Sequence, residues 1–163
     1  VQERLNHACQ ALNQAQVPYA VVGGNAVAAW VARIDDGAVR NTRDVDLLLA
    51  EEDLPRATEE TVVFLDGPEG KPSQGLYILP ADRKVRPEYV SPIPSVNRTT
   101  EINQKRIVEL EALVEMKLNS YRDIDRTHLR DMIQIGLIDG SWPSHFPTQL
   151  AERLQWLLDD PEG

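Results

Sequence analysis

The sequence predicts an α+β fold, in which a small mixed β-sheet with flanking helices precedes a helical C-terminal part. Two observations carry this expectation. Short apolar runs closed by glycine, proline or acidic turns recur in the first part of the chain. Toward the end, apolar residues repeat at three- and four-residue spacing instead. With 163 residues the chain is long enough for a real core. Residues 1–163 are therefore expected to form a single domain, with 1–100 as an α/β core and 101–163 as a helical part packed on it.

Leu5, Ala8, Cys9 and Leu12 share one face of an opening helix that Pro18 is expected to end. Tyr19–Val22 reads as a short buried strand, Gly23-Gly24 as a turn, and Asn25–Ala32 as a second helix. Asp35-Asp36-Gly37 is a turn and Asp44–Leu49 the next strand. Glu51-Glu52-Asp53 opens a short helix, its acidic first turn suiting the helix dipole. Thr61–Leu65 and Gly75–Leu79 supply further strands, and the prolines of Val85–Asn97 make that stretch extended and irregular. The remainder is expected to be helical. Ile107, Leu110, Leu113, Val114 and Leu118 line one face, Leu129, Met132, Ile133 and Ile135 a second, and Leu150, Leu154, Trp156 and Leu157 a third. Trp30, Trp142 and Trp156 are expected to pack in the core or between helices.

Charge and composition narrow the function classes. A net charge of −9 disfavours nucleic acid as a partner bound through a broad basic surface. It suits a site that collects divalent cations, and equally an acidic surface that docks on a basic protein. No apolar run approaches the length of a membrane span, and the opening residues lack the layout of a secretion signal. The first residue is not Met, which leaves a trimmed N-terminus open, and any upstream segment would lie outside this sequence. The single cysteine, Cys9, reads as a buried apolar residue of the first helix, and a reducing, cytoplasmic compartment is the expectation. His7, His128 and His145 have no metal-ligand spacing, and no nucleophile-elbow motif is present.

The chemistry-bearing pattern is Thr42-Arg43-Asp44-Val45-Asp46-Leu47-Leu48-Leu49. On a strand, Asp44 and Asp46 point to the same face while Val45 and Leu47 point into the core. Paired carboxylates repel, and a bound cation relieves the repulsion. Mg²⁺ favours such oxygen donors and completes its shell with water and phosphate oxygens. The alternative is a solvated strand start with no ligand. Upstream, Val21-Val22-Gly23-Gly24-Asn25-Ala26 reads as strand, turn and helix start. Its missing side chains would let a phosphate approach the backbone N–H groups of the helix terminus. Asn25 would cap that helix or touch the ligand. A plain strand-to-helix turn is the competing reading.

A Gly-Gly turn opening a helix, followed twenty residues later by a hydrophobic-flanked Asp-x-Asp, resembles the polymerase-beta-type nucleotidyltransferase superfamily. The stretch Met116-Lys117-Leu118-Asn119-Ser120-Tyr121-Arg122, with Asp125 and then His128-Leu129-Arg130-Asp131, is similar to the helical Lys…Arg…Asp pattern of abortive-infection-type nucleotidyltransferases. Lys84-Val85-Arg86-Pro87-Glu88-Tyr89 looks like a segment of short bacterial members. The resemblance runs from about Tyr19 to Asp139. It implies a nucleotidyltransferase fold, Mg²⁺ on Asp44 and Asp46, and phosphate binding at Gly23, Gly24, Asn25 and Lys117. The reaction implied is transfer of a nucleoside monophosphate from a nucleoside triphosphate to an unknown acceptor, with Asp125 a polar partner nearby. Read without the resemblance, Lys117 is a snorkelling surface lysine, and Arg122, Asp125, Arg126, Arg130 and Asp131 a solvated helix face.

Catalytic members of the superfamily usually add a third carboxylate on a neighbouring strand. Here Gly75–Leu79 offers Tyr77 at that place, and Asp66, Asp82 and Glu88 are the nearby alternatives. The departure keeps a second reading open: a nucleotidyltransferase-fold binding or regulatory module with a protein partner, of the toxin–antitoxin kind.

Overall fold

The computed structural model describes residues 2–57, 76–80 and 88–163. Helix α1 (Gln2–Gln14) buries the Leu5, Ala8, Cys9 and Leu12 stripe. It stops before Pro18 exerts any effect. Gln16 adopts a left-handed conformation (φ 55°) and the Val17 N–H bonds back to the Leu12 carbonyl, as in a Schellman turn. Strand β1 (Tyr19–Val21) is buried throughout and feeds directly into helix α2 (Gly23–Val31). The expected Asp35–Gly37 turn contains a 3₁₀ turn over Asp36–Ala38.

Strand β2 (Val45–Leu49) begins just after Asp44. Leu47, Leu48 and Leu49 are all buried. Successive strand residues face opposite sides, so the sheet is covered on both faces here. A 3₁₀ turn, Glu51–Asp53, follows at the expected acidic helix start. Strand β3 (Leu76–Pro80) matches the fourth strand expected from the sequence. The expected strand Thr61–Leu65, the turn at Asp66, Asp82 and the segment Lys84–Pro87 lie outside the described residues.

Residues Thr99–Val108 depart from the expectation of an all-helical remainder. They form a hairpin of β4 (Thr99–Ile102) and β5 (Lys105–Val108), so Ile107 lies on a strand rather than a helix face. The sheet therefore extends past residue 100, and helix resumes at Leu110. The hairpin closes through Asn103 (φ 50°) and Gln104 (φ 61°). Two consecutive positive φ angles suit a tight two-residue connection, usually written Asn-Gly. Gln104 in place of glycine is why the turn was hard to read.

The described strands form one five-stranded sheet in the order β3-β2-β1-β5-β4. β1 runs antiparallel to β2 and parallel to β5, β3 runs parallel to β2, and β4 antiparallel to β5, so the sheet is mixed. Helix α3 (Leu110–Ser120), helix α4 (Asp123–Gln134) and helix α5 (Thr148–Asp159) pack on one another. Helix α2 contacts β2 and β5 as well as α3 and α4, and so joins sheet to bundle. The Trp30 indole N–H, 2.9 Å from the Val108 carbonyl oxygen, pins α2 to the end of β5. Of the two places expected for Trp156, the core is excluded: it is 53% exposed and meets the neighbouring helix instead, with the Arg130 guanidinium of α4 over its ring. Among the described residues no helix is long and apolar enough to cross a membrane.

Replacing Gln104 with Gly should relieve the left-handed strain and stabilise the fold by about 1 kcal/mol. Thermal unfolding should then shift upward by roughly 2–4 °C. An unchanged or lowered midpoint would show that the hairpin turn is not strained.

Candidate functional site

The sheet presents a cleft of about 430 Å³ where the start of α2, the approach to β2 and the α3–α4 corner meet. Gly23, Gly24, Asp44, Asp46, Lys117 and Asp125 all line it. Residues as far apart in sequence as Gly23 and Asp125 are thus brought together.

Gly23 is the tightest point. Its φ is +62°, a region that glycine occupies without steric penalty. A Cβ built there would fall 1.8 Å from Asp46 Oδ2 and 2.7 Å from its Cγ. Only glycine lets the backbone pass so close to that carboxylate. A Cβ on Gly24 would lie 2.8 Å from Thr42 Oγ1, so the loop before β2 presses on the second glycine. The Val22 N–H donates to the Asp46 carbonyl at 3.0 Å and fixes the two strand ends relative to each other.

Val22 takes the N-cap position of α2, and its side chain has nothing with which to cap. The Ala26 N–H closes the first helical turn onto the Val22 carbonyl. The amides of Gly23, Gly24 and Asn25 come before that bond, at the positive end of the helix dipole. Asn25 is therefore not the N-cap, as the sequence suggested, because the left-handed Gly23 starts the helix earlier. Its buried amide instead donates to the Asp44 carbonyl at 2.6 Å. Asn25 holds the backbone of the Asp-x-Asp segment and is not among the residues lining the cleft.

Asp44 is exposed and Asp46 half-buried. A solvated strand start describes Asp44 in part but not Asp46. Burial raises the Asp46 carboxyl above its ordinary range; Lys117 opposes that shift and the neighbouring Asp44 charge adds to it.

The opposite wall is basic. Lys117 is not a snorkelling surface residue: it is buried, and its Nζ donates to Asp125 Oδ1 at 2.8 Å. Nor does Asp125 belong to a solvated face, being fully buried. Its other oxygen accepts from Ser120 Oγ at 2.6 Å, Arg122 Nε at 2.8 Å and the Arg122 backbone N–H at 3.3 Å. Burial alone would raise the Asp125 carboxyl, but Arg122, Lys117 and Ser120 together outweigh it and bring it down to about 2. The cluster forms because Tyr121, left-handed at φ 46°, ends α3 and turns the chain into α4. Lys117 and Arg122 against Asp125 leave this wall one positive charge, facing two carboxylates across the cleft. Removing one partner of such a buried pair typically costs about 3–5 kcal/mol.

Several lining residues had no site role assigned from the sequence, although Thr42, Tyr89, Met116, Asn119 and Arg122 stand inside the motifs quoted above. Arg122 and Thr42 add polar side chains to the lining, and Tyr89, Ile93, Met116 and Ile124 add mainly apolar ones. Asn119, buried on α3, also lines the cleft. Its Oδ1 accepts from the Val90 and Ser91 amides at 2.8 and 3.2 Å, and its Nδ2 donates to Ser91 Oγ at 2.7 Å. These bonds fasten the proline-rich segment across the cleft.

The strands flanking β2 carry no acid. β1 is Tyr-Ala-Val and β3 is Leu-Tyr-Ile-Leu-Pro, with Tyr77 the register partner of Asp46. Glu88 is exposed and is not among the lining residues. Among the described residues no group of three or more His, Cys, Asp or Glu side chains is arranged to hold a metal ion. Asp44 and Asp46 are the cleft carboxylates that could hold a cation, since Asp125 is already bonded to Lys117, Ser120 and Arg122. A carboxylate pair fits Mg²⁺ that keeps water and phosphate oxygens as its remaining ligands.

His128 also borders the cleft. It is 8% exposed, and its Nδ1 has no hydrogen-bond partner among the described residues. Burial foremost, then Lys117, lowers its pKa to about 4, against the weaker pull of Asp125 and Asp131.

No protein-family model matches the chain, and no curated protein matches it significantly. The geometry of the cleft therefore carries the functional argument.

His128 gives a pH signature. Its folded pKa of about 4 lies below the unfolded value of 6.5, so the unfolded state takes up the proton first as pH falls. Stability conferred by the neutral ring is complete above pH 6.5 and is lost progressively toward pH 4. Between pH 7 and 5 the wild type should lose about 2 kcal/mol more than His128→Gln in urea unfolding. Parallel pH dependence of the two proteins would contradict a neutral buried histidine.

Proposed function

We propose that the cleft binds the Mg²⁺ complex of a nucleoside triphosphate, and that the chain is a nucleotidyltransferase acting on an acceptor hydroxyl. The observation that carries this reading is the meeting of Gly23, Asp46 and Lys117 in one cleft. A glycine-led helix terminus, a carboxylate pair and a buried cation are what a metal-bound polyphosphate needs. Gly23, Gly24, Asp44, Asp46 and Lys117 are also the positions that the superfamily resemblance implies, whereas Asn25 lies off the cleft and no third carboxylate stands on the strands beside β2.

In this reading the amides of Gly23 and Gly24 donate to phosphate oxygens at the start of α2. Asp44 and Asp46 hold Mg²⁺, which when bound would neutralise phosphate oxygens and make the α-phosphorus easier to attack. Lys117 has donated one of its three N–H bonds to Asp125, so two remain for phosphate oxygens. Asp125 keeps Lys117 charged and oriented, and Arg122 adds a second cation at the mouth. The acceptor oxygen would attack the α-phosphorus and pyrophosphate would leave, with Lys117 offsetting charge that develops on it.

One observation favours a second reading. Neither described strand beside β2 offers a carboxylate to activate an acceptor hydroxyl. A binding or regulatory module that holds the nucleotide for a protein partner, without turnover, accounts for that.

Titration of wild type and Asp46→Asn with each nucleoside triphosphate, with and without Mg²⁺, tests the shared premise. Wild-type binding should require Mg²⁺, and the substitution should weaken it by roughly tenfold or more, as expected for loss of a charged ligand. Equal binding by the two proteins would remove the metal site. With binding established, transfer of label from α-labelled triphosphate to a component of a cell lysate supports the enzyme, and its absence supports the binding module.

A further inference from the structure

His128 lines the cleft and has no part in the phosphate reading. On α4 it lies three residues after Asp125, and residues at that spacing are neighbours on a helix surface. Asp125 holds Lys117, whose charge also bears on the His128 ring. The imidazole therefore stands beside the cation that faces the ligand. Its two nitrogens differ. Nδ1 is sealed from solvent and has no hydrogen-bond partner among the described residues. The ring still lines the cleft, which leaves Nε2 as the nitrogen a ligand can reach. Four charged groups act on the ring: Lys117 from α3, Arg40 from the loop before β2, and Asp125 and Asp131 from α4 itself. They are paired, Lys117 with Asp125 at 2.8 Å and Arg40 with Asp131 at 2.5 and 3.0 Å. The pairs largely cancel, so burial keeps the ring uncharged.

We propose that His128 contacts the phosphates of the ligand, its Nε2–H donating to a phosphate oxygen beside Lys117; the assignment rests on the phosphate reading of the cleft. A neutral imidazole carries one proton, on one nitrogen or the other, and the bonding of one nitrogen decides the state of its partner. On Nδ1 the proton would make a buried donor with no acceptor, whereas a bare Nδ1 strands only a lone pair. Buried N–H groups are left orphaned less often than buried acceptors. The proton therefore belongs on Nε2, and the ring offers the cleft a donor. Next to a lysine with spare N–H groups, the acceptor that suits both is an anionic oxygen. An uncharged donor strengthens the grip on that oxygen without setting a second cation against Lys117. The same proton rules out another role. A nitrogen that already carries it cannot take one from an acceptor hydroxyl, so His128 does not supply the base that the strands beside β2 lack.

Long-range ¹H–¹⁵N spectra of the full wild-type chain read the tautomer without any substitution. At neutral pH the free protein should show His128 with a protonated Nε2 and a bare Nδ1, and Mg²⁺ with inorganic tripolyphosphate should shift the Nε2 signal. Calorimetric titration with Mg²⁺ and tripolyphosphate, ATP, GTP, CTP or UTP then measures the contact. His128→Ala should weaken every one of these ligands by a similar factor of about tenfold or more, as expected for a hydrogen bond to a charged group. His128→Gln, whose amide N–H reaches the place of Nε2, should keep most of the affinity. His128→Asn reaches only the place of Nδ1 and should behave like His128→Ala. A proton on Nδ1 with Nε2 bare, or a doubly protonated ring, would overturn the assignment. So would wild-type affinity in His128→Ala, failure of His128→Gln to restore what His128→Ala loses, or a loss confined to one nucleotide. Each of these results leaves the phosphate reading standing. No binding of tripolyphosphate or any nucleotide by the wild type would overturn both.

Discussion

At Gly23 the chain leaves β1 in a left-handed turn and passes so close to Asp46 that no side chain fits between them. The rest of the site depends on this approach. It sets the first turn of α2 beside a carboxylate, although a carboxylate near a helix start is a favourable neighbour only while the amides there need no other anion. It also brings the Val22 amide onto the Asp46 carbonyl, which fixes the antiparallel register of β1 and β2. Asn25, two residues farther along, then ties the Asp44 backbone to the same helix. The backbone that carries the two carboxylates is thus held at both residues, and the Asp44 charge adds to the rise of the Asp46 carboxyl. A bound cation would relieve that repulsion.

The opposing wall is organised around one buried carboxylate. Asp125 gathers Lys117, Arg122 and Ser120 at the corner between α3 and α4. Burying a lysine is costly unless it is paired, and here the pairing leaves spare N–H groups on the cleft side of the balance. The corner needs Tyr121 to be left-handed, and that residue is braced from α5. Its hydroxyl donates to the Arg153 carbonyl, and Arg153 in turn donates to the last carbonyls of α3. The C-terminal helix thus supports the site without lining it. Sheet and bundle each contribute one wall, and α2 runs between them.

How much of this was legible depended on whether the signal was local. The Gly-Gly turn and Asp-x-Asp could be read because glycine at a strand-to-helix turn and alternation along a strand are short-range patterns. Lys117 and Asp125 were harder. Eight residues apart, they meet only because Tyr121 breaks the helix, and without that corner their signs read as a wet helix face. Asn25 was misplaced by two positions of helix start, since the sequence does not reveal that Gly23 itself enters the helix. Ile107 fits a helical stripe as well as a strand, and the Asn103-Gln104 turn lacks the glycine that would have announced a hairpin. Tyr89 closes a segment quoted for the resemblance but had no role there, and Ile124 carries no motif. Their shared place at the cleft is a product of the fold.

The central claim is that the acidic and basic walls close on a single metal-bound polyphosphate. Its most direct test is a crystal structure of the chain grown with Mn²⁺ and a non-hydrolysable nucleoside triphosphate, with the metal located by anomalous scattering. The account predicts a metal peak in contact with both Asp44 and Asp46, and phosphate oxygens within hydrogen-bond distance of the Gly23–Gly24 amides and Lys117. A metal bound elsewhere, or phosphates lying away from Lys117 with Asp44 and Asp46 facing only solvent, would contradict it.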